Sequence, residues 1–251
     1  MKHKFRLKRN KLYIFPLSDL HLGSPNCDLD YFKYWCDVFE NTRTKHKVIY
    51  LLGDLIDMQS LRIGAWEQDL SADEQICTLV ELLEPYKKYI NYMTIGNHGR
   101  RPKKDYNLDV GRIVSEMLDV PYDKADFFDE LKINKKPFIV YGKHGTKFNA
   151  RLELAEGSMI RDTQNIMANL LMQGHNHYIS YFNRPMVTKQ GISRKHYVFS
   201  GHFLEYKGSY AHEKNMTQVP QAFLRLGVDR NLNVRADEYH KDICFKEQYK
   251  K

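Results

Sequence analysis

Five short blocks gather the residues of this chain that could hold a cation or move a proton. They are Asp19-Leu20-His21, Gly53-Asp54-Leu55-Ile56-Asp57, Gly96-Asn97-His98-Gly99, Gly142-Lys143-His144-Gly145 and Gly174-His175-Asn176-His177. Carboxylate, imidazole and amide donors, with no thiolate among them, suit divalent ions such as Mn, Fe or Zn. Two such ions about 3.5–4 Å apart can clamp a phosphoryl group and lower the pKa of a water between them. The arrangement needs one carboxylate that reaches both ions. Asp19 and Asp54 offset only half of the ions' charge, which leaves a field suited to an anionic phosphate. A histidine beside an amide ligand, as His98 is to Asn97, can protonate a leaving oxygen. Asp57 follows Asp54 at a spacing that could orient that ring. Each block taken alone also reads as a solvated turn.

The blocks follow apolar runs that read as strands. Val48 to Leu52 is continuous and partly β-branched, the pattern of a strand buried on both faces, and it stops at Gly53. Carboxylates at such a point lie where open α/β sheets place their ligands, beyond the carboxyl ends of the strands. Leu12–Ser18 leads into Asp19 in the same way, and if extended conformation continues there, Asp19 and His21 share a face. Tyr89–Ile95, Pro137–Tyr141 and Leu170–Gln173 are the other strands that end at a block. Helices are expected over Leu29–Thr42, with Phe32, Trp35, Cys36 and Phe39 at core spacing, and from a cap at Ser71 to about Pro85. Others are expected at Leu108–Leu118 and within Leu152–Asn169. Met58–Trp66 reads as irregular, and Arg100–Lys104 as a basic loop. The stretch from Tyr178 to Glu238 is strand-rich and includes a hairpin about Asp229-Arg230-Asn231. His202 and His212 lie there and read as structural.

At 251 residues, with 42% hydrophobic and 13% aromatic residues, the chain is a folded domain rather than a disordered one. No repeat or linker divides it, so residues 1–251 read as a single domain. No run approaches the roughly 18 apolar residues of a membrane span, and the N-terminus lacks a signal-peptide pattern. Cytoplasmic residence with no membrane partner is the expectation. Cys27, Cys36, Cys77 and Cys244 show neither a stapling framework nor Cys-x-x-Cys spacing. A formal net charge of +8 suits an anionic partner and solubility equally. Basic residues crowd the N-terminus (Lys2, Lys4, Arg6, Lys8, Arg9, Lys11) and follow His98 directly (Arg100, Arg101, Lys103, Lys104).

In order and residue type the five blocks resemble the calcineurin-like metallophosphoesterase family, over Asp19 to His177. The resemblance implies an α/β fold, a sandwich of two facing mixed β-sheets flanked by helices. It implies one ion held by Asp19, His21, Asp54 and His177, and a second held by Asp54, Asn97, His144 and His175. Asp54 would bridge the pair and a hydroxide between the ions would be the nucleophile, with Mn ahead of Fe or Zn. His98 would be the catalytic imidazole and Asp57 its support. Asn97, and by their position just beyond the His98 block Arg100 and Arg101, are expected to contact substrate. Serine/threonine phosphatase branches have Arg-Gly where this chain has Met58-Gln59, and an acid where it has Gly99, so that role is not expected. The opening Ser18-Asp19-Leu20-His21-Leu22-Gly23 looks more like branches acting on nucleic acids, nucleotides or lipid-linked sugars. The expected activity is therefore phosphodiester hydrolysis, with DNA, RNA or a nucleotide as partner. The alternatives are a phosphomonoesterase or nucleotide pyrophosphatase at the same site, or a scaffold that has lost catalysis. The sequence sets no oligomeric state.

Overall fold

The computed structural model describes residues 3–8, 10–59, 67–188, 191–208, 212 and 218–241. Lys2 and Arg9 of the basic run, residues 60–66 of the expected irregular segment and Cys244 lie outside these. Twelve strands are defined among the described residues: β1 Lys4–Phe5, β2 Leu12–Leu17, β3 Lys47–Leu52, β4 Ile90–Thr94, β5 Tyr122–Asp123, β6 Asp126–Ile133, β7 Lys136–Lys143, β8 Leu170–Gln173, β9 Ile179–Thr188, β10 Gly191–His202, β11 Ala222–Val228 and β12 Val234–His240. The helices are α1 Leu29–Asn41, α2 Ala72–Leu83, α3 Arg101–Tyr106, α4 Val110–Leu118 and α5 Leu152–Asp162, with a 3-10 turn at Glu84–Tyr89.

The strands form one hydrogen-bonded path that doubles back on itself, so that its halves face each other. One half runs β12-β11-β2-β3-β4-β5, with β2 to β5 parallel. The other runs β1-β6-β7-β8-β10-β9, with β7, β8 and β10 parallel. The far end of β10 joins the halves by pairing Gly201 and His202 with Phe223 and Ala222 of β11. Gly201 has φ +82°, and a Cβ there would fall 1.8 Å from the Ala222 carbonyl oxygen, so only glycine fits this crossing.

The two-residue period of β3 shows why its whole length is apolar. Val48, Tyr50 and Leu52 enter the core between the halves, with Phe138, Val140 and Met172 of the facing half. Ile49 and Leu51 face the other way, into a cluster with Trp35, Phe39, Leu79, Leu83 and Val114. Full burial of each such side chain contributes roughly 1.5–3 kcal/mol. Tyr50 stacks on Phe127 at 5.3 Å, fixing the halves against each other. On the opposite outer face, Ala155 and Met159 of α5 cover Tyr141, Leu171, Tyr197 and Phe199. The expected sandwich of two facing mixed sheets flanked by helices is the observed architecture.

Asp28 caps α1 by accepting the Tyr31 N–H at 3.0 Å, and Phe32, Trp35 and Phe39 stack along its buried face. Ser71 and Glu74 form a capping box on α2. The basic run is not a loop: Arg101–Tyr106 is helical, because Pro102 occupies the first turn, where no backbone donor is required. None of the described helices is long and apolar enough to cross a membrane.

Candidate metal centre

All five blocks converge at the carboxyl ends of parallel strands. Asp19 and His21 follow β2, Asp54 and Asp57 follow β3, and Asn97 and His98 follow β4. From the facing half, His144 follows β7, and His175 and His177 follow β8. The β2 and β3 loops stay registered past the strands through Asp19 N–H to Gly53 O (3.1 Å), His21 N–H to Asp54 O (3.0 Å) and Asp57 N–H to Leu22 O (2.9 Å). The backbone there is not extended, as the Asp19/His21 spacing had suggested. Asp19, His21, Asp54, His175 and His177 all adopt left-handed φ, between +48° and +72°. Aspartate and histidine tolerate that region better than most residues, and such local strain gathers at functional sites. Nor does a helical turn separate Asp54 from Asp57, since Ile56 bridges in parallel to Leu22. Gly96 permits the close approach of β4: a Cβ there would sit 1.9 Å from Asp54 Oδ1.

Among the described residues, three sets of donor atoms lie within 4.8 Å of one another: Asp19, His21 and His177; Asp54, His144 and His175; and His21, Asp57 and His98. In the first set His177 Nε2 lies 3.4 Å and His21 Nε2 3.9 Å from Asp19 Oδ1. His21 Nδ1 lies 2.9 Å from Asp57 Oδ1, which can only accept, so that nitrogen carries the proton. Its Nε2 lone pair is buried without a partner. Burial first, then the His98 ring, lower the His21 pKa and favour the neutral form that binds a metal.

The second set makes the same case. His144 Nδ1 donates to the Leu52 carbonyl at 2.8 Å, so Nε2 is the free end of the ring. It faces two acceptors, Asp54 Oδ2 at 2.9 Å and Asn97 Oδ1 at 3.1 Å. Such an arrangement requires a cation between its members. In the metal-free protein that cation is a proton: burial opposes it, but the Asp54 carboxylate raises the His144 pKa to about 9. Burial holds the His175 pKa down to about 4, with His144 adding to the effect. For Asp19 and Asp54, burial would raise the carboxyl pKa. The His177 hydrogen bond at Asp19 and the His144 charge at Asp54 outweigh it, and both stay well below the usual range. The donors present therefore fit divalent ions in charge, tautomer and burial.

Asp57 does more than its spacing implied. Its Oδ1 lies 2.8 Å from His98 Nδ1 and 2.9 Å from His21 Nδ1, so one carboxylate holds both rings. Its Oδ2 accepts from Gln59 Nε2 (3.0 Å) and Gln68 Nε2 (2.9 Å). Gln68 is steadied in turn by Gln75 Nε2 at 3.1 Å. Nothing in the spacing of three glutamines separates them from surface residues, and sequence reasoning missed them. It also missed Ser18, whose hydroxyl bonds Asp19 Oδ2 and lies 2.6 Å from Ser200 Oγ. His202, read as structural, is buried and stacks on His177 at 5.0 Å. Its place was legible, because Ser200-Gly201-His202 ends a strand as the other blocks do.

The two arginines part company. Arg101 enters the site, its guanidinium 2.9 and 3.0 Å from the two ring nitrogens of His98 and 2.6 Å from Gln59 Oε1. Arg100 does not: one residue earlier on the turn it points away and donates to the Lys124 carbonyl at 2.6 Å.

No family model and no curated protein matches the chain. Solved structures do. A metallophosphoesterase from Sphaerobacter thermophilus aligns over 92% of this chain and 88% of its own, at 12% identity and TM-score 0.47. Vacuolar Protein Sorting 29 from Cryptosporidium parvum aligns over 92% and 100%, at 14% identity and TM-score 0.46. A conserved predicted phosphoesterase from Streptococcus pneumoniae aligns over 93% and 99%, at 15% identity and TM-score 0.42. Similarity this distant assigns no role to any residue here. The resemblance to calcineurin-like metallophosphoesterases has instead a local basis: five separate sequence blocks meet in one cluster of donors.

Proposed function

We propose that this protein is a metal-dependent phosphoesterase that hydrolyses phosphodiesters, with nucleic acids or nucleotides as substrates. The observation that carries the reading is a pair of buried imidazole nitrogens turned into the donor cluster. His21 Nε2 is buried without a partner, and His144 Nε2 is aimed at Asp54 and Asn97 oxygens. Asp19, His21 and His177 would hold one divalent ion, and Asn97, His144 and His175 a second, with Asp54 shared. Mn is the first choice, Fe or Zn the alternatives. When bound, two such ions would polarise the phosphoryl group and supply a water of lowered pKa.

The remaining chemistry belongs to the chain. His98 is half-buried at the edge of the cluster, where it can deliver a proton to the departing oxygen. Asp57 fixes its ring through Nδ1, which leaves Nε2 as the working atom. Arg101 sets a permanent positive charge beside that atom, where it can meet a non-bridging phosphate oxygen.

Assay of purified protein with Mn²⁺ on bis(p-nitrophenyl) phosphate and p-nitrophenyl phosphate, then on single- and double-stranded DNA and RNA, tests the reading. Faster turnover of the diester is expected, together with cleavage of at least one polymer whose affinity falls steeply between roughly 50 and 200 mM salt. Turnover of the monoester alone would favour a phosphomonoesterase, and no turnover of any ester would sink the proposal.

A further inference from the structure

Beside the His98 block lies a cleft of about 230 Å³ that belongs to none of the metal-ligand sets. Ile95 and Gly99, on the same loop as Asn97 and His98, form one side of it, and Tyr122 lines another. Three cations line it: Arg100 and Lys103, which are three residues apart about the start of α3, and Lys124, brought in from the turn between β5 and β6. The Arg100 guanidinium is anchored by its bond to the Lys124 carbonyl. One acid is present, Asp109, and both of its oxygens are engaged. Oδ1 accepts from the Tyr122 hydroxyl at 3.0 Å and from the Arg112 N–H at 3.1 Å, and Oδ2 lies 3.2 Å from Lys103 Nζ. Three cations against one anion leave a formal charge of +2 around a cleft that also offers an aliphatic and an aromatic surface.

We propose that this cleft is a second phosphate subsite, which holds a non-reacting phosphate of the substrate with part of the sugar that carries it. The inference rests on the phosphoesterase reading and deepens it. A phosphate monoester carries close to two negative charges at neutral pH, matching the local excess. The volume is below the roughly 300–1,000 Å³ of a pocket for a whole drug-sized ligand, so a full nucleotide would overfill it. Lysines supply point charges that tolerate varied phosphate orientations, whereas the anchored arginine supplies a directed fork. Position gives the subsite its use, because the Ile95–Gly99 loop separates it from Asn97 and His98 by a residue or two.

The test compares the full chain with Lys103→Gln/Lys124→Gln, both solvent-exposed positions where folding should be undisturbed. With Mn²⁺, kcat/KM is measured on the dinucleotide TpT and on its 5′- and 3′-phosphorylated forms. The parent should prefer one phosphorylated form, and the variant should lose that preference by about tenfold or more. An equal preference in parent and variant, or none in the parent, would overturn the subsite. A second arm needs no turnover: inorganic phosphate is titrated into EDTA-treated protein while the amide resonances of Gly99 and Lys124 are followed. Saturable shifts in the parent that weaken about tenfold in the variant support the subsite even if no ester is cleaved, in which case only the phosphoesterase reading fails. Shifts that are absent, or equal in both proteins, overturn it.

Discussion

Asp54 Oδ2 and His144 Nε2 stand 2.9 Å apart across the two facing sheets, two residues beyond β3 and one beyond β7. Because His144 Nδ1 is committed to the Leu52 carbonyl, this contact needs a proton or a metal to be favourable. Asp54→Asn keeps the shape and removes the charge. Metal analysis after dialysis should find about two ions per chain in the parent and fewer than one in the variant, since both ions would share this carboxylate. Full occupancy in Asp54→Asn would refute the bridging role.

His98→Ala separates proton delivery from metal binding. Turnover should fall roughly 10²–10⁴-fold, the usual worth of a positioned acid, with metal content unchanged. Parallel loss of metal and activity would show that His98 is a ligand.

Asp57→Asn should do more harm than a change confined to His98 would, because His21 hangs from the same oxygen. Outer-shell partners of this kind typically contribute 10–100-fold to metal affinity. Competition with a fluorescent chelator should reveal a weakened Mn²⁺ site alongside the loss of rate. An unchanged affinity would confine Asp57 to His98.

Gln75 is fully buried and holds three groups: it accepts the Met58 N–H and donates to the Leu70 carbonyl and Gln68 Oε1. Gln75→Leu leaves all three without it, at roughly 1–3 kcal/mol for each group that stays unpaired. Urea denaturation should register a loss of at least about 2 kcal/mol. A midpoint within error of the parent would show that the groups find other partners.

His196 supplies a pH dependence away from the centre. Burial, then Arg194, lower its pKa from 6.5 to about 4, and Nδ1 lies 2.9 Å from the Tyr181 hydroxyl. The folded chain thus resists a proton that the unfolded chain accepts. Stability from this group is complete above pH 6.5 and declines as pH falls from 6.5 towards 4. His196→Gln should flatten the acid limb of a Tm–pH curve over that window. An unaltered slope would exclude the contribution.

Much of this architecture was legible in the residue pattern, for reasons that also explain the gaps. Val48–Leu52 could be recognised because a strand buried on both faces must be apolar throughout. β6 escaped notice because Asp126–Ile133 mixes three acids and a lysine with its apolar residues, and one buried acid, Asp129, is held by the Tyr50 hydroxyl at 2.6 Å. The donor blocks were visible because chemistry and backbone select the same residues: Asp and His both ligate metals and tolerate left-handed φ. The glutamines behind Asp57, and Lys124 beside Arg100, carry no spacing rule, since nothing about their separation from these partners marks them off from surface residues. Arg100 and Arg101 could not be told apart without the helix that turns them to different sides.

Donors to the proposed centre come from both halves of the sandwich, and among the described residues strand pairing joins the halves through the short β10–β11 ladder at Gly201 and His202. Ions seated between Asp54 and His144 would therefore act as a clasp on the open edge of a clamshell whose hinge is β10. Chelation should leave the folded form in place yet let it come apart faster. The metal would then set the lifetime of the native state as well as its chemistry, so that a cell starved of it would hold a shorter-lived protein and not merely an idle one.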